Sequence, residues 1–320
     1  MHTITVEEFC KGMGLSVVSA DEGAEMQITS SDINRPGLEM AGYFEYFAPG
    51  RVQVVGRSEI AYLTSRSTAH QIKYMETYFN KEFPCLIVCR GLDLPEDVLA
   101  LAVAAKKPVL SSQQSTTQLV HRLIGYIDNL IAPRGTIHGV LMDIYGVGIL
   151  FTGESGIGKS ETALELIKRG HRLVSDDAVE LCRVADNRLT GESPKLIRYL
   201  MEMRGIGIID VRSMYGVGSV IRQKSIDLVI KMERWDDDKV YDRLGISEEY
   251  EEMLGIKIPR ITVPVAPGRN LAIIAEVAAR NFRLKAQGYN AAKELDRRME
   301  MMMSGRAEEL DPDDVSGMHF

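Results

Sequence analysis

The chain lacks the marks of several large protein classes. It has no basic excess: 38 Lys and Arg stand against 45 Asp and Glu, a formal charge of −7. A nucleic-acid partner ordinarily needs a basic face, so none is expected. No apolar run approaches the roughly 18 residues of a membrane span, and Met1-His2-Thr3-Ile4 does not open a secretory signal. A cytoplasmic protein without membrane contact is the expectation. Only four residues are cysteine, too few for a disulfide framework. Cys85 and Cys89 bracket the apolar Leu86-Ile87-Val88 and lack the further clustered ligands of a zinc site, which makes them buried thiols. The six histidines are scattered, with no H-x-x-x-H pair. Gly146-x-Gly148, Gly205-x-Gly207 and Gly216-x-Gly218 each lack the third glycine of a dinucleotide fingerprint. What remains is an ordinary globular composition, 45% hydrophobic and 26% charged over 320 residues, enough for two domains.

One motif is present in full. Gly153-Glu154-Ser155-Gly156-Ile157-Gly158-Lys159-Ser160 fits G-x-x-x-x-G-K-[ST] at every fixed position. A chance match in a chain of this length has a probability on the order of one per cent. Ile149 to Thr152 before it reads as a buried strand. Ser160 to Arg169 after it reads as a helix with Gly170 as its C-cap. Strand, glycine loop and helix N-terminus form a phosphate cradle of backbone N–H groups, helped by the positive end of the helix dipole. Lys159 would reach the β- and γ-phosphates and the Ser160 hydroxyl would ligate Mg²⁺. Kinase, ATPase, GTPase and transporter subunit all remain open at this point.

The organisation is α/β in two domains. Residues 1–132 are expected to form an N-terminal wound sheet: Val52–Val55, Leu86–Val88 and Pro108–Leu110 as strands, Thr68–Phe79, Pro95–Ala105 and residues 116–131 as helices. Pro133-Arg134-Gly135 marks the boundary of a phosphate-loop domain, 133–307. There Ile137–Tyr145 and Val147–Phe151 are separated by little more than Gly146, which predicts an antiparallel hairpin feeding the loop. Strands are expected near 172–175, 179–184, 206–211, 226–232 and 260–265. Ser193-Pro194 predicts a helix running to about Met203, and Asn270 the cap of a helix from Leu271 to about Gln287. A methionine-rich helical run follows, and residues 308–320 form an acidic tail expected to be disordered.

Several residues could carry chemistry. The strand ending in Asp176-Asp177 puts carboxylates beside the phosphate site, as a Mg²⁺ role or a general base requires; a simple acidic turn would look the same. His138, Glu202 and Arg243 are, taken singly, equally at home as structural or solvated residues.

Together these segments resemble one family, the HPr kinase/phosphorylases. The resemblance rests on Ile137–Leu141, Gly153–Glu161, Leu173–Asp177, Glu202–Val211, Tyr241–Gly245, and Val263–Val265 with Pro267–Asn270, together with Arg35–Leu38 and Gly42–Phe44 in the N-terminal part. It implies ATP- or pyrophosphate-dependent phosphorylation of a serine on the phosphocarrier protein HPr. It also implies removal of that phosphate by inorganic phosphate, giving pyrophosphate, in the service of carbon catabolite regulation. By position, Gly153 to Ser160 hold the phosphates, Ser160 and Glu202 the Mg²⁺, and Asp177 is general base, with His138, Lys159 and Arg243 as its catalytic partners. The Pro264–Arg269 loop is implied to serve dephosphorylation. A catalytic domain like that of phosphoenolpyruvate carboxykinase and a homohexamer are implied as well. A small-molecule P-loop kinase and a nucleotide-sensing regulatory protein are the competing readings.

Overall fold

The computed structural model describes residues 2–21, 23–184, 188–239 and 249–304. It divides into two compact units, Met1–Ala132 and Pro133–Phe320.

In the first unit, strands Ile33–Asn34, Val52–Val55, Leu86–Cys89 and Val109–Ser112 pair in parallel, and Ser16–Ser19 closes the far edge antiparallel. Val52–Val55 and Leu86–Cys89 are buried at every position, which is why they read as continuous apolar runs. Helices cover both faces. One core contains Phe9, Ile87, Leu119 and Leu123; the other contains Leu63, Tyr78, Phe79 and Val98. Cys85 and Cys89 are buried and free. Burial pushes the Cys85 thiol above its ordinary range, so it stays protonated. The antiparallel pairing of His2–Thr5 with Glu25–Ile28 and the capped helix Val6–Met13 between them were not legible in the sequence pattern.

The second unit contains a six-stranded sheet and a four-stranded antiparallel one. At the centre of the first lies Val147–Thr152, antiparallel to Val140–Ile144 on one side and parallel to Leu228–Arg234 on the other. The expected hairpin is present. Its turn is Tyr145-Gly146, both at positive φ (50° and 85°), the requirement of a type I′ turn. The apolar stretch 137–145 is nonetheless two strands in two sheets. Arg134–His138 pairs with Ala178–Val184 in the four-stranded sheet, while Val140–Ile144 pairs with Arg172–Ser175 in the six-stranded one. Two neighbouring segments therefore cross between sheets together, at His138-Gly139 and at Asp176-Asp177. Gly139 N–H donates to the Asp177 carbonyl at 3.0 Å.

The helix expected from Pro194 to Met203 is absent. Residues 195–197 form a single 3₁₀ turn, and Leu200–Met203 is a strand in a hairpin with Gly207–Asp210. Met201 and Met203 point inward and Glu202 outward. The residues Leu-Met-Glu-Met favour helix on propensity, but their period-two burial against the core wins. Strands Arg188–Glu192 and Glu249–Met253 were also missed. Helices Lys159–Lys168 and Leu271–Ala286 are as expected, the latter capped by Asn270. The acidic tail, 308–320, lies outside the described residues.

The crossing requires glycine at 139. A Cβ there would stand 2.6 Å from the Phe151 carbonyl oxygen, a backbone atom with little freedom to move. Gly139→Ala is expected to destabilise the chain by about 1–3 kcal/mol, read as a lowered melting temperature in a thermal scan. An unchanged melting temperature would show that the crossing has slack.

Candidate active site

The phosphate loop emerges from the C-terminal end of Val147–Thr152 and runs into helix Lys159–Lys168. Gly153, Gly156 and Gly158 all have positive φ (140°, 80° and 105°). A side chain at Gly153 would collide with the Met232 carbonyl of the adjacent parallel strand. Ile157 turns into the core, which anchors the middle of the loop. Glu154 points outward and pairs with Arg234 at 3.4 Å.

Lys159 is buried, and its ammonium donates to the carbonyls of Gly153 (2.8 Å) and Glu154 (2.9 Å). Burial lowers its pKa, opposed by Asp176 and Asp177 and aided by Arg204. Ser160 donates its hydroxyl to Asp176 Oδ1 at 2.9 Å. The other Asp176 oxygen accepts the Glu202 backbone N–H at 3.2 Å. One buried carboxylate thus ties the phosphate loop to the hairpin that carries Glu202.

The paired crossing places the next residues. His138 ends its strand directly opposite Ala178, and its Nδ1 lies 3.0 Å from Asp177 Oδ1. Asp177 has φ 67°, the left-handed region that aspartate tolerates better than most residues. The two neighbouring aspartates are thereby divided: Asp176 faces inward and is 3% exposed, whereas Asp177 opens to the cleft. Burial raises the Asp176 pKa, with the bonds from Ser160 and Glu202 opposing.

A single cleft gathers His138, Lys159, Ser160, Asp176, Asp177 and Glu202, with Arg204 at its edge. Of the site residues expected from the sequence, His138, Ser155, Gly156, Gly158, Lys159, Ser160, Asp177 and Glu202 line this cleft. Gly153, Glu154 and Ile157 do not, Glu154 pairing with Arg234 and Ile157 joining the core, and Arg243 lies outside the described residues. Arg204 was missed because it sits inside a motif recognised as a block. Asp176 shares with Asp177 the reading of a carboxylate beside the phosphate site; its bond to Ser160 has no sequence signal of its own.

Mg²⁺ prefers hard oxygen donors and binds through one or two carboxylates plus substrate phosphates. The Ser160 hydroxyl and the Asp176 and Glu202 carboxylates on this cleft offer oxygen donors of that chemistry. Among the described residues no three His, Cys, Asp or Glu side chains converge as a metal cage, so the fit is to an ion that takes its remaining ligands from phosphates and water.

The raised Asp176 pKa has a stability consequence. A carboxyl whose pKa rises on folding adds stability below its unfolded value and loses it as pH climbs through the folded value. Asp176→Asn removes the buried charge. Without Mg²⁺, it is expected to melt above the wild-type chain at pH 8, the difference shrinking toward pH 4. A difference independent of pH would contradict the burial argument.

Comparison with known proteins places these features in one family. Residues 4–127 match the family model described as HPr Serine kinase N terminus, and residues 129–299 match HPr Serine kinase C-terminal domain. An HPr kinase/phosphorylase of Thermoanaerobacter sp. (strain X514) is 48% identical over 299 residues, 93% of this chain and 98% of the relative. One from Peptoclostridium acidaminophilum is 49% identical over 290 residues, 91% and 94% of the two chains. Among solved structures, the HPr(Ser) kinase/phosphatase of Coxiella burnetii is 38% identical with a TM-score of 0.45, covering 50% of this chain and 98% of that one. With both domain models matched and both relatives spanned almost end to end, the chain belongs to the HPr kinase/phosphorylase family.

Proposed function

We propose that the chain phosphorylates a serine of HPr, using ATP or pyrophosphate with Mg²⁺, and removes that phosphate by phosphorolysis. The observation that carries this reading is the placement of the His138–Asp177 pair, 3.0 Å apart, on the same cleft as the phosphate loop. A nucleotide sensor has no use for a carboxylate aimed at its phosphates, which disfavours the regulatory reading. The small-molecule kinase reading has nothing in the site to favour it over the relatives' named activity.

In the forward direction Asp177 takes the proton of the serine hydroxyl as the serine oxygen bonds to the terminal phosphorus of the donor. The bond from that phosphorus to the bridging oxygen breaks, and ADP, or phosphate from pyrophosphate, departs. In reverse, an oxygen of inorganic phosphate attacks the phosphoseryl phosphorus. The bond to the serine oxygen breaks, Asp177 returns the proton to it, and pyrophosphate leaves. His138 orients Asp177 for both roles. Lys159 and the loop N–H groups hold the phosphates. Ser160, Asp176 and Glu202 would hold Mg²⁺, which neutralises phosphate charge when bound.

The hairpin feeding the loop supports likening the second unit to phosphoenolpyruvate carboxykinase rather than to Ras-like folds. A homohexamer in the cytoplasm, with roles for Arg243 and the Pro264–Arg269 loop in the same chemistry, completes the reading by family resemblance.

Incubation with purified HPr, ATP and Mg²⁺ is expected to give phosphoseryl-HPr. Excess phosphate added to that product is expected to release pyrophosphate. Absence of phospho-HPr would overturn the reading. Asp177→Asn, which keeps a residue tolerant of the left-handed backbone, is expected to lower both reactions by about 10²–10⁴-fold. ATP binding, measured by calorimetry, should survive; substantial turnover in either direction would point to a different base.

A further inference from the structure

Arg204 stands apart from the other arginines of the site's surroundings. It lies at the turn of the Leu200–Met203/Gly207–Asp210 hairpin, and its guanidinium reaches over the phosphate loop. Nη2 donates to the Ser155 hydroxyl at 3.2 Å. Nη1 occupies space beside Gly156, where a Cβ would stand 2.5 Å from it. Among the described residues Arg204 forms no salt bridge, whereas Arg198, Arg222 and Arg234 nearby are each paired with a glutamate. A guanidinium has five donors. Here one neutral hydroxyl satisfies one of them, on a cleft that also carries carboxylates.

The charge of the cleft sharpens this. Glu161, Asp176, Asp177 and Glu202 line it together with two basic side chains among the described residues, Lys159 and Arg204. Lys159 is fixed low in the loop by two carbonyls. Arg204 is exposed on the lining of the same cleft, and its charge reaches Lys159. A polyphosphate entering such a cleft adds negative charge to it, and Arg204 is a cation placed to meet that charge beside Lys159. A planar guanidinium suits the equatorial oxygens of a transferring phosphoryl group, which it can hold with two parallel bonds.

We propose that Arg204 is a catalytic residue that leaves Ser155 and holds the oxygens of the transferring phosphoryl group, as an arginine finger supplied within the chain. This rests on the kinase and phosphorylase reading above. The bonds made and broken are those already written; Arg204 exchanges no proton. It acts on charge that the phosphoryl group carries in both directions, so both reactions depend on it.

The test is steady-state kinetics of the full chain on HPr with ATP and Mg²⁺, and on phospho-HPr with inorganic phosphate. Arg204→Gln is expected to lower kcat in both directions by about 10²–10³-fold while KM for ATP changes by less than about threefold. Arg204→Lys should recover only part, because an ammonium lacks the planar fork. Guanidinium chloride at sub-denaturing concentration should raise the turnover of Arg204→Ala several-fold, a rescue that a merely structural side chain would not show. A Gln variant with wild-type kcat, or an Ala variant that guanidinium does not relieve, overturns the assignment. An inactive wild-type chain would instead sink the kinase reading itself, so the two failures are distinguishable.

Discussion

One backbone hydrogen bond, from Gly139 N–H to the carbonyl of Asp177, joins two segments at the place where both leave one sheet for the other. The site depends on that joint. Residues 138 and 177 are brought side by side because Arg134–His138 and Ala178–Val184 pair below the crossing, while Val140–Ile144 and Arg172–Ser175 pair above it. The left-handed turn at Asp177 then sends consecutive carboxylates in opposite directions. Asp176 goes inward to Ser160 and the Glu202 strand, and Asp177 goes outward into the cleft. A sharp division of labour between adjacent, chemically identical side chains follows from a single backbone conformation.

That division explains the electrostatics. The inward carboxylate loses water and its ionised form becomes costly, offset by two hydrogen bonds. The outward one keeps solvent and the His138 ring. Burial and exposure are therefore assigned to different residues: the inward carboxylate braces the loop, and the outward one stays open to the cleft.

Much of this was legible in the sequence because local rules coincide with the tertiary result. The glycine spacing at 153–158, the Tyr145-Gly146 turn and the aspartates at a strand end are each read from a few neighbouring residues. The Asn270 cap and the buried parallel strands of the N-terminal unit are legible for the same reason. The misreadings share a different cause. Leu200–Met203 has helical propensity and is a strand because a hairpin partner several residues later imposes alternation. The break at Gly139 hides inside an apolar run, since both strands it separates are hydrophobic and only the Phe151 carbonyl reveals why glycine stands there. Arg204 is invisible for a related reason: an arginine in a turn is ordinary until its lack of a carboxylate partner is seen. Non-local pairing and missing partners leave no periodicity to read.

The ammonium of Lys159 rests on two carbonyls that belong to the very loop it serves. An arriving phosphate does not meet an idle cation; it must displace those carbonyls, and they stand ready to reclaim the lysine when it departs. Occupancy of the loop is then an exchange of partners at one ammonium, neutral carbonyls for anionic oxygens, and not the meeting of two free charges.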